Sequence, residues 1–332
     1  MGDGSSFWLD VSRAYLSGLF GDDKKRNWIR VFCYHGVVEN KIDSLMERNF
    51  HLLSEFKSHI RFLSQCRVLG LPELADELSA PGKNSKPAVL ITFDDGYANN
   101  LLAAEVLSAA HLPWTVFVAT GAIGRENSIW AIELSLLLLH GRVDSIEALD
   151  RVWSLKSDES RKAAFQEIRQ PLKLMPSEQR RRIMEHIRQQ FPSGETSRLL
   201  HLFPSMQMLG WDEVEQLANA AVEVGSHGVN HEIHHSNQLA SVRCQELVES
   251  KSELERRLKR PCRFFAFPNG NFSSDSAEEV CNAGFQLAFT TLSGTVKAGL
   301  NPYLLPRLWP LNSLQGFVRN FYWEPKSTPD ET

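Results

Sequence analysis

The sequence has no Cys-x-x-Cys pair, no internal repeat, no low-complexity linker and no apolar run long enough to cross a bilayer. Its five cysteines, Cys33, Cys66, Cys244, Cys262 and Cys281, are scattered and odd in number. That pattern argues against a zinc ribbon or a disulfide-stapled scaffold and is expected of reduced core thiols in a cytosolic protein. The most apolar stretch, Ile129 to Leu139, contains Glu133 and falls well short of the ~20 residues that a membrane span needs. Near the start stand Asp3 and Phe7-Trp8-Leu9-Asp10, where a secretory signal would place a basic start and an apolar run. The expected location is therefore the cytoplasm. A net charge of -4, with no basic stripe interleaved with aromatics, gives nucleic acid no footing as a partner.

Residues Phe7 to Phe20 place Trp8, Val11, Tyr15, Leu19 and Phe20 near one helical face. Docking on the protein's own core is the plainer expectation, because the polar face carries few basic residues. The alternative is an interfacial helix that holds the protein peripherally at the inner membrane.

What is present suits a soluble globular chain: 42% apolar and 23% charged residues over 332 positions, enough for one large core with a sizeable insertion. Short apolar runs alternate with helical patterns, which predicts β/α units around a parallel sheet. Strands are expected at Ile29 to Tyr34, Ala88 to Phe93, Trp114 to Ala119, Val222 to Val224, Phe264 to Phe267 and Leu287 to Thr290. Helices are expected at Leu53 to Val68, Leu101 to Ala110, Trp211 to Ala220, Gln238 to Lys259, and from Ser274 to a Gly284 cap. Between Gly121 and Gln207 the sequence is rich in Leu, Arg, Glu and Gln and reads as a mostly helical insertion. The expected layout is an N-terminal helical segment (1–26), a barrel (27–120 and 208–318) interrupted by the insertion (121–207), and a tail (319–332).

Three segments share one plan, a strand, then polar residues at its C-terminal end, then a helix. They end in Asp94-Asp95, in Ser226-His227 and in Pro268-Asn269-Gly270. In β/α barrels that end of the sheet is where active sites assemble. Adjacent carboxylates ending a buried strand repel unless a positive charge compensates them, although Asp-Asp-Gly also suits a plain turn. His227 and His231 are four apart, which on a helical turn puts both imidazoles on one side. His231 and His235 share that spacing, and only the position of His227 directly after a strand favours the first pair. One Asp with two His makes a three-ligand site with open positions, suited to a catalytic divalent ion that acidifies water and polarises a carbonyl. The second Asp is then free to act as a base. The chemistry indicated is amide or ester hydrolysis.

Thr92-Phe93-Asp94-Asp95-Gly96-Tyr97 and Ser226-His227-Gly228-Val229-Asn230-His231 resemble the two leading motifs of the polysaccharide deacetylase (NodB-homology, carbohydrate esterase family 4) family. Tyr34-His35-Gly36-Val37, Phe265 to Gly270 and Leu305-Pro306-Arg307 extend the resemblance over roughly Ile29 to Pro310, the insertion excluded. It implies a distorted (β/α) barrel, often seven-stranded. It also implies that Asp95, His227 and His231 hold the metal, Zn2+ first and Co2+ or Ni2+ as alternatives. Asp94 would be the base, while Asn269 would give a backbone N–H to the oxyanion, with Tyr97 and Arg307 on the substrate side; Arg307 is alternatively a partner of Asp94 or an anchor of the C-terminal segment. The implied reaction is de-N-acetylation of a hexosamine-containing glycan or a lipid-linked precursor. Trp211-Asp212-Glu213 and the long insertion look like bacterial members tied to exopolysaccharide synthesis. Two rival readings are a small-molecule amidohydrolase and a catalytically weak glycan-binding protein.

The chain departs from the family's pattern at three places. The Arg that often orients the base falls on Ala266, the late Leu-x-His reads Leu305-Pro306-Arg307, and no late Asp-Trp motif is present. The candidate for the general acid is therefore His35, at the end of the first strand; the alternative is a buried structural histidine that caps that strand.

Overall fold

Six short runs rich in Val, Ile, Phe and Thr form strands because β-branched and aromatic side chains pack well on a pleat buried on both faces. In the computed structural model, which describes residues 28–79, 87–124 and 126–322 besides Ser12, they are β1 (Ile29–Tyr34), β2 (Ala88–Phe93), β3 (Thr115–Val118), β4 (Glu223–Ser226), β5 (Phe264–Ala266) and β6 (Leu287–Phe289). They pair in sequence order as one parallel sheet, β1-β2-β3-β4-β5-β6. Each crossover carries helix, so every strand starts at the same end and all C-terminal ends gather at the other.

The resemblance implies seven strands, whereas the regular sheet has six. The gap between β6 and β1 is bridged by the irregular segment 305–308. Leu305 exchanges backbone hydrogen bonds of 2.9 Å with Ala288 and Thr290, and Leu308 does so with Val31 (2.8 Å) and Cys33 (2.9 Å). Proline at 306 has no N–H to offer, which fits a stave of isolated bridges rather than a ladder.

Side-chain parity divides each strand between two cores. Phe32, Tyr34, Ile91, Phe93, Val116, Val118, Val224 and Phe265 face the helices in one cluster. Val31, Ala88, Leu90, Phe117, Phe264, Ala266, Leu287, Phe289 and Leu305 fill the interior in another. Alternation along a strand carries the interior-facing set forward to Cys33, Thr92, Asp94, His227 and Arg307 at the C-terminal end. Gly225 precedes His227 on that face because a Cβ there would lie 2.5 Å from the Phe117 ring.

The stretch 121–207 builds most of a third apolar cluster, which also takes in Val38, Phe50, Tyr97, Ala119 and Met208. It holds helices Trp130–His140, Asp158–Leu174, Ser177–Gln189 and Glu195–Leu202. The apolar run beginning at Ile129 is the first of these, hydrophobic on all sides and buried, with Glu133 paired to Arg188 at 2.7 Å. The stretch is less wholly helical than expected, since Ser145–Ala148 and Arg151–Ser154 form an antiparallel ribbon. Three contacts tie it to loops at the C-terminal end of the barrel: His140 to Asp43 (2.8 Å), Arg180 to Glu232, and Lys173 to Asn269 (2.7 Å).

Among the described residues no helix is long and apolar enough to cross a membrane. The segment Phe7 to Phe20 lies outside the described residues, as do 323–332. The expected tail begins inside a helix, Leu314–Tyr322, whose Phe317, Val318 and Phe321 are buried. All five cysteines are free, but only Cys33 and Cys262 are buried, so the remaining thiols are not core residues.

That last helix is pinned through His59, which stacks on Phe317 with ring centroids 4.0 Å apart. Its Nε2 faces the Asn312 carbonyl at 3.2 Å and its Nδ1 faces the Tyr34 hydroxyl at 3.1 Å. A carbonyl only accepts, so the proton sits on Nε2 and Tyr34 donates to Nδ1. Burial, with the neighbouring His51, lowers the His59 pKa from 6.5 to about 3. The unfolded chain therefore binds the extra proton first, and the stability is intact above pH ~6.5 and falls as pH drops towards about 3. Between pH 7 and 5 His59 should contribute a loss of roughly 2 kcal/mol. Urea unfolding of wild type and His59→Gln at both pH values should show a flatter pH dependence in the variant. Equal slopes would contradict this account.

Candidate metal and catalytic site

At the end of β2 the chain breaks its extended run. Asp94 keeps the interior direction, and Asp95 turns into the left-handed region (φ 75°), so the adjacent carboxylates part. Asp94 accepts a two-pronged hydrogen bond from Arg307, with Nη1 to Oδ1 at 2.7 Å and Nη2 to Oδ2 at 2.6 Å. Arg307 Nε donates to the Thr290 carbonyl at 3.0 Å, and the Cys33 thiol lies 3.4 Å from Asp94 Oδ2. Burial works against charge on Asp94, but Arg307, followed by the imidazoles, outweighs it and holds the carboxyl below its ordinary pKa.

Asp95 faces three imidazoles. Its Oδ1 lies 3.3 Å from His227 Nε2 and 3.2 Å from His231 Nε2, and its Oδ2 lies 3.9 Å from His35 Nε2. Burial opposes the charge of Asp95, yet the imidazoles, His35 first among them, keep its carboxyl well below the usual range. His227 is buried and its Nδ1 is 2.8 Å from the Ala266 carbonyl, which fixes the neutral ring's proton on Nδ1. Its Nε2 lone pair then points at a carboxylate oxygen. Asp95 Oδ1 is buried and makes no hydrogen bond, so acceptors converge on a space that needs a cation. One donor atom from each of Asp95, His227 and His231 falls within a 4.8 Å group, the metal-compatible cluster found among the described residues. Separations of 3.2 and 3.3 Å match the edge of roughly 3.3 Å that tetrahedral Zn2+ with ~2 Å bonds requires. These residues fit a divalent metal.

The His-x-x-x-His spacing does not act through a helix. Residues 227–235 are irregular, with Gly228 (φ 80°) and His231 (φ 55°) in the left-handed region. Glu246, from helix Ala240–Leu258, holds the bend by accepting the N–H groups of Val229 (2.7 Å) and Asn230 (2.9 Å). A Cβ at residue 228 would meet the same carboxylate at 2.8 Å, which requires glycine. The rings of His227 and His231 end 4.9 Å apart. His235 is outside the group, and His234 is buried against Phe265 and Phe267.

The family profile of the polysaccharide deacetylases matches residues 81–288. This chain belongs to the polysaccharide deacetylase family. Family membership carries hydrolysis of an amide bond with it. The fold is similar to deacetylase PplD of Streptococcus pyogenes, solved with acetate (TM-score 0.57, 15% identity, covering 89% of this chain and 99% of that one). It is similar also to IcaB from Ammonifex degensii (0.58, 17%, 89% and 97%) and to the BpsB deacetylase domain from Bordetella bronchiseptica (0.51, 15%, 86% and 97%). At these identities the likeness concerns the fold. No curated protein gives a significant match.

The other site residues expected from sequence fall as follows. Tyr97 is buried against Phe50, and burial together with the Asp95 charge raises its hydroxyl pKa well above the ordinary value. Asn269 is exposed, with φ 57° and its Oδ1 on Lys173. His35 stacks on Trp309 with centroids 5.0 Å apart. Arg307 is not on the substrate side: it is fully buried and committed to Asp94 and Thr290. It meets Asp94 from the stave between β6 and β1, two positions round the sheet from β5, where Ala266 stands. Sequence reasoning missed Glu246, Cys33 and Trp309. Only the parity running from Val31 would have pointed to Cys33.

A buried charge that loses its partner is costly. Arg307→Met should therefore destabilise the fold by roughly 3 kcal/mol in urea unfolding. The Arg307→Met/Asp94→Asn pair should recover part of that loss. Strict additivity of the two substitutions would contradict the coupling.

Proposed function

We propose that this family member hydrolyses the acetamide C–N bond of an N-acetylated hexosamine in a glycan or glycan precursor, using a divalent metal, Zn2+ by preference, held by Asp95, His227 and His231. The observation that carries the reading is the buried convergence of those three donors beside an Asp94 clamped by Arg307. When bound, the metal supplies Lewis-acid polarisation of the carbonyl and makes water more acidic.

The chain's own groups supply the rest. Asp94 accepts a proton from the attacking water, and Arg307 keeps its carboxylate ionised and aimed at the site. The backbone N–H of Asn269 stabilises charge developing on the acetyl oxygen. His35, steadied by Trp309, hands a proton to the departing amine. The weak-binder reading was motivated by the Arg absent at position 266, and Arg307 removes much of that motive.

Acetate release from N-acetylglucosamine oligomers by the metal-loaded protein is the test. Asp94→Asn should lower kcat by more than a hundredfold, and His35→Ala by at least tenfold. Both are assayed at a temperature where circular dichroism shows the variant folded, since Asp94→Asn also strips Arg307 of its partner and lowers stability. A wild type that releases no acetate would overturn the reading, and near-normal turnover by His35→Ala would remove its acid role.

A further inference from the structure

Most arginines of the 121–207 stretch are matched to carboxylates: Arg142 and Arg198 to Glu195, Arg180 to Glu232 and Arg188 to Glu133. Three cations near the proposed site are not. Arg169 and Lys173 lie one turn apart on helix Asp158–Leu174, both half-buried, and the exposed Arg48 of the loop 39–49 is near enough for its charge to act on both. None of the three has a carboxylate partner among the described residues, and Arg169 Nε is buried without a hydrogen bond. Lys173 Nζ lies 2.7 Å from Asn269 Oδ1, and Arg48 acts also on Tyr97, which touches Asp95. The cluster therefore edges the site on two sides.

Holding like charges together in partial burial is unfavourable. Burial and the neighbouring cations lower Lys173 to about 8, and burial with Arg48 lowers Arg169 to about 10. A solvated helix face would separate such charges or supply glutamates, as the rest of this stretch does. An anion placed among them relieves both penalties at once.

We propose that Arg48, Arg169 and Lys173 form an anion subsite that takes the phosphate or diphosphate of a substrate whose N-acetylated sugar lies beyond Asn269. The position of the sugar rests on the deacetylase reading, whereas the subsite itself does not. Three cations from two chain segments exceed the single charge of a uronate carboxylate. They match a phosphate monoester or diphosphate, with its greater charge and extra acceptor oxygens for guanidinium forks. A sugar nucleotide and a prenyl-diphosphate sugar share that chemistry.

Calorimetric binding to the intact, metal-loaded protein tests it, with N-acetylglucosamine 1-phosphate and uncharged N-acetylglucosamine as probes. The phosphate ester should bind at least tenfold more tightly at low salt, with the advantage shrinking as salt rises. Arg48→Gln and Lys173→Met should each remove most of that advantage. Lys162→Gln, exposed elsewhere on the same helix, should keep it. Arg48 is itself exposed, so an unchanged melting temperature in Arg48→Gln separates lost binding from lost folding. Equal affinity for the two probes in wild type would overturn the proposal. So would an advantage that survives Arg48→Gln and Lys173→Met together, because the phosphate would then sit on the metal.

A second arm compares UDP-N-acetylglucosamine with a short-chain prenyl diphosphate N-acetylglucosamine. The carrier whose affinity falls in Arg48→Gln is the one that the subsite serves, and a fall in neither overturns the proposal. Acetate release from an uncharged oligomer, without phosphate preference, would sink the subsite alone. Phosphate preference without acetate release from any substrate would sustain the subsite and sink the deacetylase reading.

Discussion

Asp94 and Arg307 meet across the barrel interior, one at the end of β2 and the other on the stave that closes the sheet between β6 and β1. Neither tolerates its position alone, since each is a charge withdrawn from water. Together, with the Thr290 carbonyl satisfying a further guanidinium N–H, they form a site that burial alone would forbid. The pair also links two properties that are often separate, because the segment that closes the barrel through Leu305 and Leu308 also carries the arginine that fixes the carboxylate. A small shift of the 305–308 stave would therefore disturb geometry and charge at once.

Around that pair the backbone is bent where function needs it. Asp95, His231 and Asn269 all adopt left-handed conformations that non-glycine residues rarely take. Such conformations persist only when their surroundings over-determine them. Glu246 does this for the histidine loop, and the Lys173 contact does so for Asn269. The stretch 121–207 touches the loops after β1, β4 and β5, so it contributes to the shape of the site's rim as well as to its own core.

Much of this was legible in the sequence, for stateable reasons. Ile29–Tyr34 and Ala88–Phe93 were bounded correctly because a strand buried on both faces is apolar at nearly every position, Arg30 being the exception in the first. The convergence of Asp95, His227 and His231 followed from their placement at or just after strand ends; parity accounts for His227 alone, while left-handed turns at Asp95 and His231 bring in the other two. The ribbon Ser145–Ser154 was missed because its two-residue turn, Leu149-Asp150, holds both residues at positive φ without the glycine or asparagine that usually marks such a turn. A helical turn was assumed for His227 and His231, while the real organiser, Glu246, sits on a distant helix and leaves no local signature. The pairing of Arg307 with Asp94 was open in the sequence as one of several roles for that arginine, and the closing stave is what selects it.

The central claim is that Asp95, His227 and His231, and no other histidine of the loop, hold a divalent ion. Elemental analysis of dialysed protein tests it most directly. Wild type and His235→Ala should retain a stoichiometric ion, and Asp95→Ala and His231→Ala should lose it. An ion content unaffected by the latter two, or lost with His235→Ala, would contradict the account.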